Sequence, residues 1–112
     1  MLNVNPETVR FIIDKAHEFQ MLDVEPEDES AEARDPAYAE LKATIDDLEP
    51  DQQVDLISLM WVGRGDYRAE EWSRALADAR DRWNERTAEY LIGTPLLSDF
   101  LSEGLDRLGI GE

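Results

Sequence analysis

Apolar residues recur along most of the chain at the three-and-four spacing of a helical face, and prolines mark where several of these runs begin. Val9, Ile12, Ile13, Ala16 and Phe19 form the first stripe. Asn5 precedes it as a natural cap, and Pro6 takes the first helical position, where a missing N–H costs nothing. The run predicts a helix over 6–22, with Phe11 and Leu22 on its opposite side as a thinner second apolar face. Asp35-Pro36 repeats the cap-then-proline signal, and Tyr38, Leu41, Ile45 and Leu48 predict a second helix over 36–48. Glu49-Pro50-Asp51-Gln52 ends that helix and opens a third over 50–62, with Gln52 placed to reach back over the cap.

The third run is apolar nearly all round. Val54, Ile57 and Trp61 lie on one side and Leu56, Leu59 and Met60 on the other, so this helix should be central and covered by two neighbouring layers. A core strand would show the same run, but no second strand candidate exists to pair with it. Gly63 is expected to supply the left-handed stop. After the turn at Gly63-Arg64-Gly65-Asp66, with Asp66 as cap, Trp72, Leu76, Ala79, Trp83, Thr87 and Tyr90 keep a near-heptad rhythm. They predict one helix over 67–92, about 38 Å long. The main alternative is a break near Asn84. Gly93-Thr94-Pro95 reads as terminator, cap and restart, and Leu97, Phe100, Leu101, Leu105 and Leu108 give a fifth helix over 95–108. Gly104 costs it about 1 kcal/mol of helix propensity, a loss that a close helix contact would explain. The fold class is therefore all-α, a single-domain five-helix bundle over residues 1–112.

Charge narrows the partners. Asp and Glu number 27 against 11 Lys and Arg, a formal net charge of −16 on 112 residues. Such a surface repels phosphate and argues against direct binding of nucleic acid or an anionic membrane. Residues 23–35 concentrate seven carboxylates around a single Arg. With almost nothing apolar to bury, the stretch is expected to form a mobile acidic loop. It lacks the central Gly of a calcium loop, and Pro26 interrupts the ligand spacing. There is no Cys and only one His, which removes thiolate metal sites, disulfides, cysteine nucleophiles and paired-His centres. The residues from Met1 to Pro6 show no basic segment followed by an apolar stretch, so no signal peptide is expected and a cytoplasmic location is the default.

Candidate chemistry is sparse. Arg64-Gly65-Asp66 has the letters of an adhesion tripeptide but fits a helix-to-helix turn. Gly63 and Gly65 lack the preceding strand and the Lys-Ser/Thr of a phosphate loop. His17 lies at the edge of the first stripe, with no nucleophile or orienting group assignable to it. No catalytic, metal-binding or cofactor-binding residue follows, and no cofactor is expected. Five arginines (Arg68, Arg74, Arg80, Arg82 and Arg86) fall in the predicted fourth helix. Arg68 and Arg86 project close to its apolar stripe, while Arg80 and Arg82 flank it. An Arg on that boundary calls for a carboxylate or a set of helix-end carbonyls, and Arg86 is expected to be held by a carboxylate, Asp66 or Asp99, with Asp99 favoured if the helix is unbroken. Arg64, Asp66, Arg86 and Asp99 form the candidate interaction or anion site.

Two motifs look familiar. Leu59-Met60-Trp61-Val62-Gly63-Arg64-Gly65-Asp66, and the run Asn84-Glu85-Arg86-Thr87-Ala88-Glu89-Tyr90-Leu91-Ile92-Gly93-Thr94-Pro95-Leu96-Leu97, resemble a bacterial family of small acidic proteins known only as a domain of unknown function. The opening Asn5-Pro6-Glu7-Thr8-Val9 and the closing Asp99-Phe100-Leu101-Ser102-Glu103-Gly104-Leu105 fit the same pattern, and the acidic 23–35 stretch fits it least. The resemblance implies a bacterial cytoplasmic source and no enzyme activity, and it supplies no site residue. The functional expectation is a non-enzymatic protein-interaction module. Apolar surface on Phe11, Leu22, the third helix and a long fourth helix predicts a homodimer. The alternatives are an acidic decoy for a basic nucleic-acid-binding partner and a small-anion-binding protein using Arg64 and Arg86.

Overall fold

The structure, a computed structural model, describes residues 2–20 and 36–110, and these are helices and the turns between them. Leu22 and the acidic 23–35 stretch lie outside the described residues. Helix α1 spans Pro6–Gln20, α2 Pro36–Asp46 and α3 Pro50–Arg64. A 3₁₀ turn at Ala69–Glu71 leads into α4 at Trp72–Arg82, followed by α5 at Thr87–Ile92 and α6 at Leu97–Arg107. The all-α expectation holds, with the predicted fourth helix divided in two.

The starts of α1 and α3 follow the local chemistry. The Asn5 carboxamide accepts the Glu7 N–H at 2.8 Å, and the Gln52 side chain accepts the Glu49 N–H at 2.8 Å. Each satisfies a donor that the first helical turn leaves free. Val9, Ile12 and Ala16 are buried on α1, and Leu41 and Ile45 on α2. Helix α3 is central: every residue from Gln53 to Gly63 is buried. It packs against α4 and most extensively against α6, while α1 packs on α6 and α2, and α2 on α5.

Gly63 does not end α3. It is buried inside the helix, where a Cβ would lie 1.8 Å from the Phe100 carbonyl oxygen. A Cβ on Gly104 would lie 2.3 Å from the Leu59 carbonyl oxygen. The two glycines therefore let α3 and α6 pack backbone against backbone, the close contact expected for Gly104. The left-handed stop falls two residues later, at Gly65 with φ 96°. Its N–H bonds the Trp61 and Val62 carbonyls, each at 3.1 Å. Arg107 on α6 donates to the Val62 carbonyl at 3.0 Å and helps close the same helix end. Asp66 caps nothing downstream, and the next turn is instead held by the Arg68 N–H on the Glu71 carboxylate at 2.8 Å.

The long fourth helix breaks where its alternative placed the break. Trp83 is extended, with ψ 139°. The Asn84 carboxamide takes the Arg86 N–H at 2.7 Å, and the Thr87 hydroxyl donates to the Asn84 carbonyl at 2.7 Å. Short side chains thus supply the partners that a continuous helix would have supplied. Trp83 anchors the break by donating its indole N–H to Gln53 at 2.6 Å, and Gln53 donates in turn to the Ile45 carbonyl at 2.7 Å. At the start of α6, Leu96 rather than Thr94 occupies the cap, in the left-handed region at φ 61°.

The periodicity does not mark Asp55 as a core residue. Asp55, fully buried on α3, accepts the Asn3 N–H and the Val4 N–H, the latter at 3.0 Å, and so ties the residues preceding α1 to the central helix. Its second oxygen has no partner among the described residues. Burial pushes its carboxyl above the ordinary carboxylate range, against the pull of the two N–H donors.

Candidate functional site

The last turn of α3 presents Trp61 beside the turn that follows it. Because Gly65 reverses the chain there, Tyr67 comes back over the Trp61 ring, with centroids 5.6 Å apart and planes 21° from parallel. Because the chain breaks at Trp83, α5 folds back toward α3, and the Trp61 indole donates to the Tyr90 hydroxyl at 3.2 Å. A helix continuous through residue 92 would have carried Tyr90 onward with α4. The break in the chain creates the cleft.

The cleft has two adjoining cavities of about 520 and 500 Å³ that share Trp61, Arg82 and Tyr90. Arg64, Asp66, Tyr67, Asp78 and Asp81 complete the first, and Ile57, Asn84, Arg86, Thr87 and Glu89 the second. In the first, Asp66 holds Arg64 through contacts of 2.6 Å to Nη2 and 2.8 Å to Nε, which keeps the guanidinium still more firmly protonated. The Tyr67 hydroxyl donates to Asp78, and that bond, with some burial, raises the phenol above its ordinary value. In the second, Arg86 reaches Glu89 only loosely, at 3.5 Å. Arg82 has no ion pair among the described residues.

The expected site is thus partly assembled and partly scattered. Arg64 and Asp66 meet, but within one turn. Arg86 is not a boundary residue held by Asp66 or Asp99: its side chain is 82% exposed, and its carboxylate partner is Glu89, one helical turn away. The prediction failed because the projection assumed one unbroken helix, whereas Arg86 stands at the cap of α5. Asp99 is exposed on α6 and does not line either cavity. Phe11 is 41% exposed with the Lys15 ammonium 5.7 Å from its ring centroid, and Leu22 is outside the described residues. Arg68 and His17 are exposed.

Sequence reasoning missed Arg82, Asp78, Asp81 and the aromatic wall of Trp61, Tyr67 and Tyr90. One signal was present: Asp78, Asp81 and Arg82 are three and four residues apart on one helical face. Among the described residues, no group of three or more His, Cys, Asp or Glu side chains is placed to hold a metal ion, and no helix is long and apolar enough to cross a membrane.

A family model described as a protein of unknown function (DUF3775) matches residues 38–110, which hold α2 from its third residue, α3 through α6 and the whole cleft. No curated protein and no solved structure matches the chain.

Proposed function

The match spans more than half of the sequence, so the chain belongs to the DUF3775 family, and from that premise we propose that it is a non-enzymatic binding module whose cleft between α3, α4 and α5 takes a ligand carrying an anionic group. The observation that carries this reading is Arg82. It is a guanidinium without an ion-pair partner among the described residues, it lines both cavities, and it stands beside Trp61 and Tyr90 in a protein of net charge −16. In so acidic a chain, an arginine left unpaired next to aromatic surface is available to a carboxylate or a similar anion. Cavities of this size suit a small molecule, with the apolar part on the exposed Tyr90 ring and the edge of Trp61 and the charge on Arg82 and Arg86.

Benzoate is the simplest probe, since it joins one negative charge to a planar apolar body. Titration followed at the Trp61 indole N–H by NMR should shift that resonance and leave the Trp72 indole unmoved. Arg82→Ala should remove the response without lowering Tm, because Arg82 is exposed. A Trp61 resonance that stays fixed at millimolar benzoate would refute the reading.

We propose self-association separately. Both faces of α3 are covered within one chain and the fourth helix is short, so among the described residues the exposed large hydrophobic side chains are Phe11, Tyr90 and Leu96. Light scattering across concentration and salt tests it, a dimer mass supporting the proposal and a constant monomer mass ending it.

A further inference from the structure

The two halves of the cleft differ in charge. In the first cavity Asp66 is neutralised by Arg64 of the same turn, at 2.6 Å, and Asp78 and Asp81 face the single shared Arg82, which leaves that side with a surplus of one carboxylate. In the second, Glu89 lies 3.5 Å from Arg86, which leaves Arg82 as the surplus cation. Asp78 and Arg82 are one helical turn apart on α4 yet form no ion pair, and the Asp78 carboxylate takes the Tyr67 hydroxyl instead. Trp61 and Tyr90 line both cavities, so aromatic surface lies beside both charged ends. Resting on the anion-site reading, we propose that the ligand is a zwitterion: an α-amino acid with a planar apolar side chain, its carboxylate on Arg82 and Arg86 and its ammonium toward Asp78 and Asp81.

The competing ligand chemistries each meet a wall of the wrong sign. A polyphosphate would satisfy the arginines but sit in the field of Asp78, Asp81 and a chain of net charge −16. An amine without a carboxylate would meet the two aspartates and leave Arg82 unpaired, with a second cation brought close to it. A carboxylate without an amine would satisfy Arg82 and leave the aspartates facing it. The zwitterion gives each wall its opposite charge, and discrimination of this kind arises as much from the mismatches it imposes on other ligands as from its own contacts. An ammonium beside Trp61 and Tyr90 gains further from the negative faces of the rings.

Three compounds with a common phenyl ring separate these possibilities: L-phenylalanine, 3-phenylpropionate and phenethylamine. Binding is read at the Trp61 indole N–H, with the Trp72 indole as internal control and inorganic phosphate as a further probe. L-phenylalanine should bind most tightly, with 3-phenylpropionate roughly tenfold weaker, the effect of one charge-assisted contact. Phenethylamine and phosphate should be weaker still. Asp81→Asn should erase the advantage of L-phenylalanine over 3-phenylpropionate, and Arg82→Ala should weaken both; both side chains are exposed, so the variants should keep the parent Tm. If 3-phenylpropionate binds as tightly as L-phenylalanine, the zwitterion is wrong and the anion site stands. If phosphate binds tightest, the zwitterion is likewise wrong. If none of the four moves the Trp61 resonance, the anion site falls and the zwitterion with it.

Discussion

Gly63→Ala should destabilise the protein by about 2 kcal/mol, although the same replacement inside an isolated helix is favourable by about 1 kcal/mol. The added Cβ would stand 1.8 Å from the Phe100 carbonyl oxygen, 2.7 Å from its carbonyl carbon and 3.0 Å from the Gly104 nitrogen. All three atoms are main chain, so no rotamer change relieves the clash. To restore van der Waals contact, α3 and α6 must separate by roughly 1 Å or more, where a fraction of that gap already forfeits much of the dispersion energy. The separation would loosen the core around Leu59 on α3 and Leu101 and Leu105 on α6, all buried in one cluster. Overpacking of this kind costs about 1–3 kcal/mol and occasionally more, which outweighs the propensity gain. For a chain of this length the loss corresponds to a fall in Tm of about 8 °C. Thermal and urea unfolding followed by circular dichroism measure it, with two other glycines as controls. Gly65→Ala meets no atom within 4 Å but must hold φ 96°, so it should cost about 1 kcal/mol. Gly93→Ala has ordinary helical φ and meets the Glu89 carbonyl oxygen at 3.2 Å and the Tyr90 carbonyl oxygen at 3.8 Å, a far milder approach, so it should cost clearly less than Gly63→Ala. A Gly63→Ala variant as stable as the parent would refute the backbone-to-backbone contact.

Asp55→Ala should cost about 2 kcal/mol, because it strips the acceptor from the buried Val4 N–H; faster hydrogen exchange at Asn3 and Val4 would accompany it, and unchanged exchange there would contradict the anchoring role. Because burial raises the Asp55 carboxyl above its ordinary value of 3.8, its contribution to stability is full below that value and is lost as pH rises through the raised one. The stability of the parent relative to the non-titrating Asp55→Asn variant should therefore be greatest in acid and decline toward neutral pH, and urea midpoints at several pH values would show a flat difference if the reasoning failed. Arg86→Ala should change stability by less than about 0.5 kcal/mol, as for an exposed side chain with one loose partner, and a loss of several kcal/mol in a denaturant titration would restore the buried pairing first expected of it.

Much of the fold could be read along the chain because its determinants are local. Asn5 with Pro6, and Pro50 with Gln52, act within one helical turn, so their sequence order already contains the interaction. The two-sided apolar run of α3 announced a central helix, since burial on both sides is the only way to remove both faces from water. Gly104 announced a close contact through its cost to the helix, but its partner, Gly63, read as a terminator. A glycine serves either a backbone angle or an approaching neighbour, and only the packed structure tells which. The same holds for the cleft. Asn84 and Thr87 are too common in helices to mark a break by themselves, and the break is secured by Trp83 reaching Gln53, a residue 30 positions earlier. That bond decides where α5 lies and whether Tyr90 meets Trp61, and with them whether Arg86 is buried or exposed. Periodicity assigns a residue to a face of its own helix, whereas what stands opposite that face depends on contacts between distant segments, which no local pattern encodes.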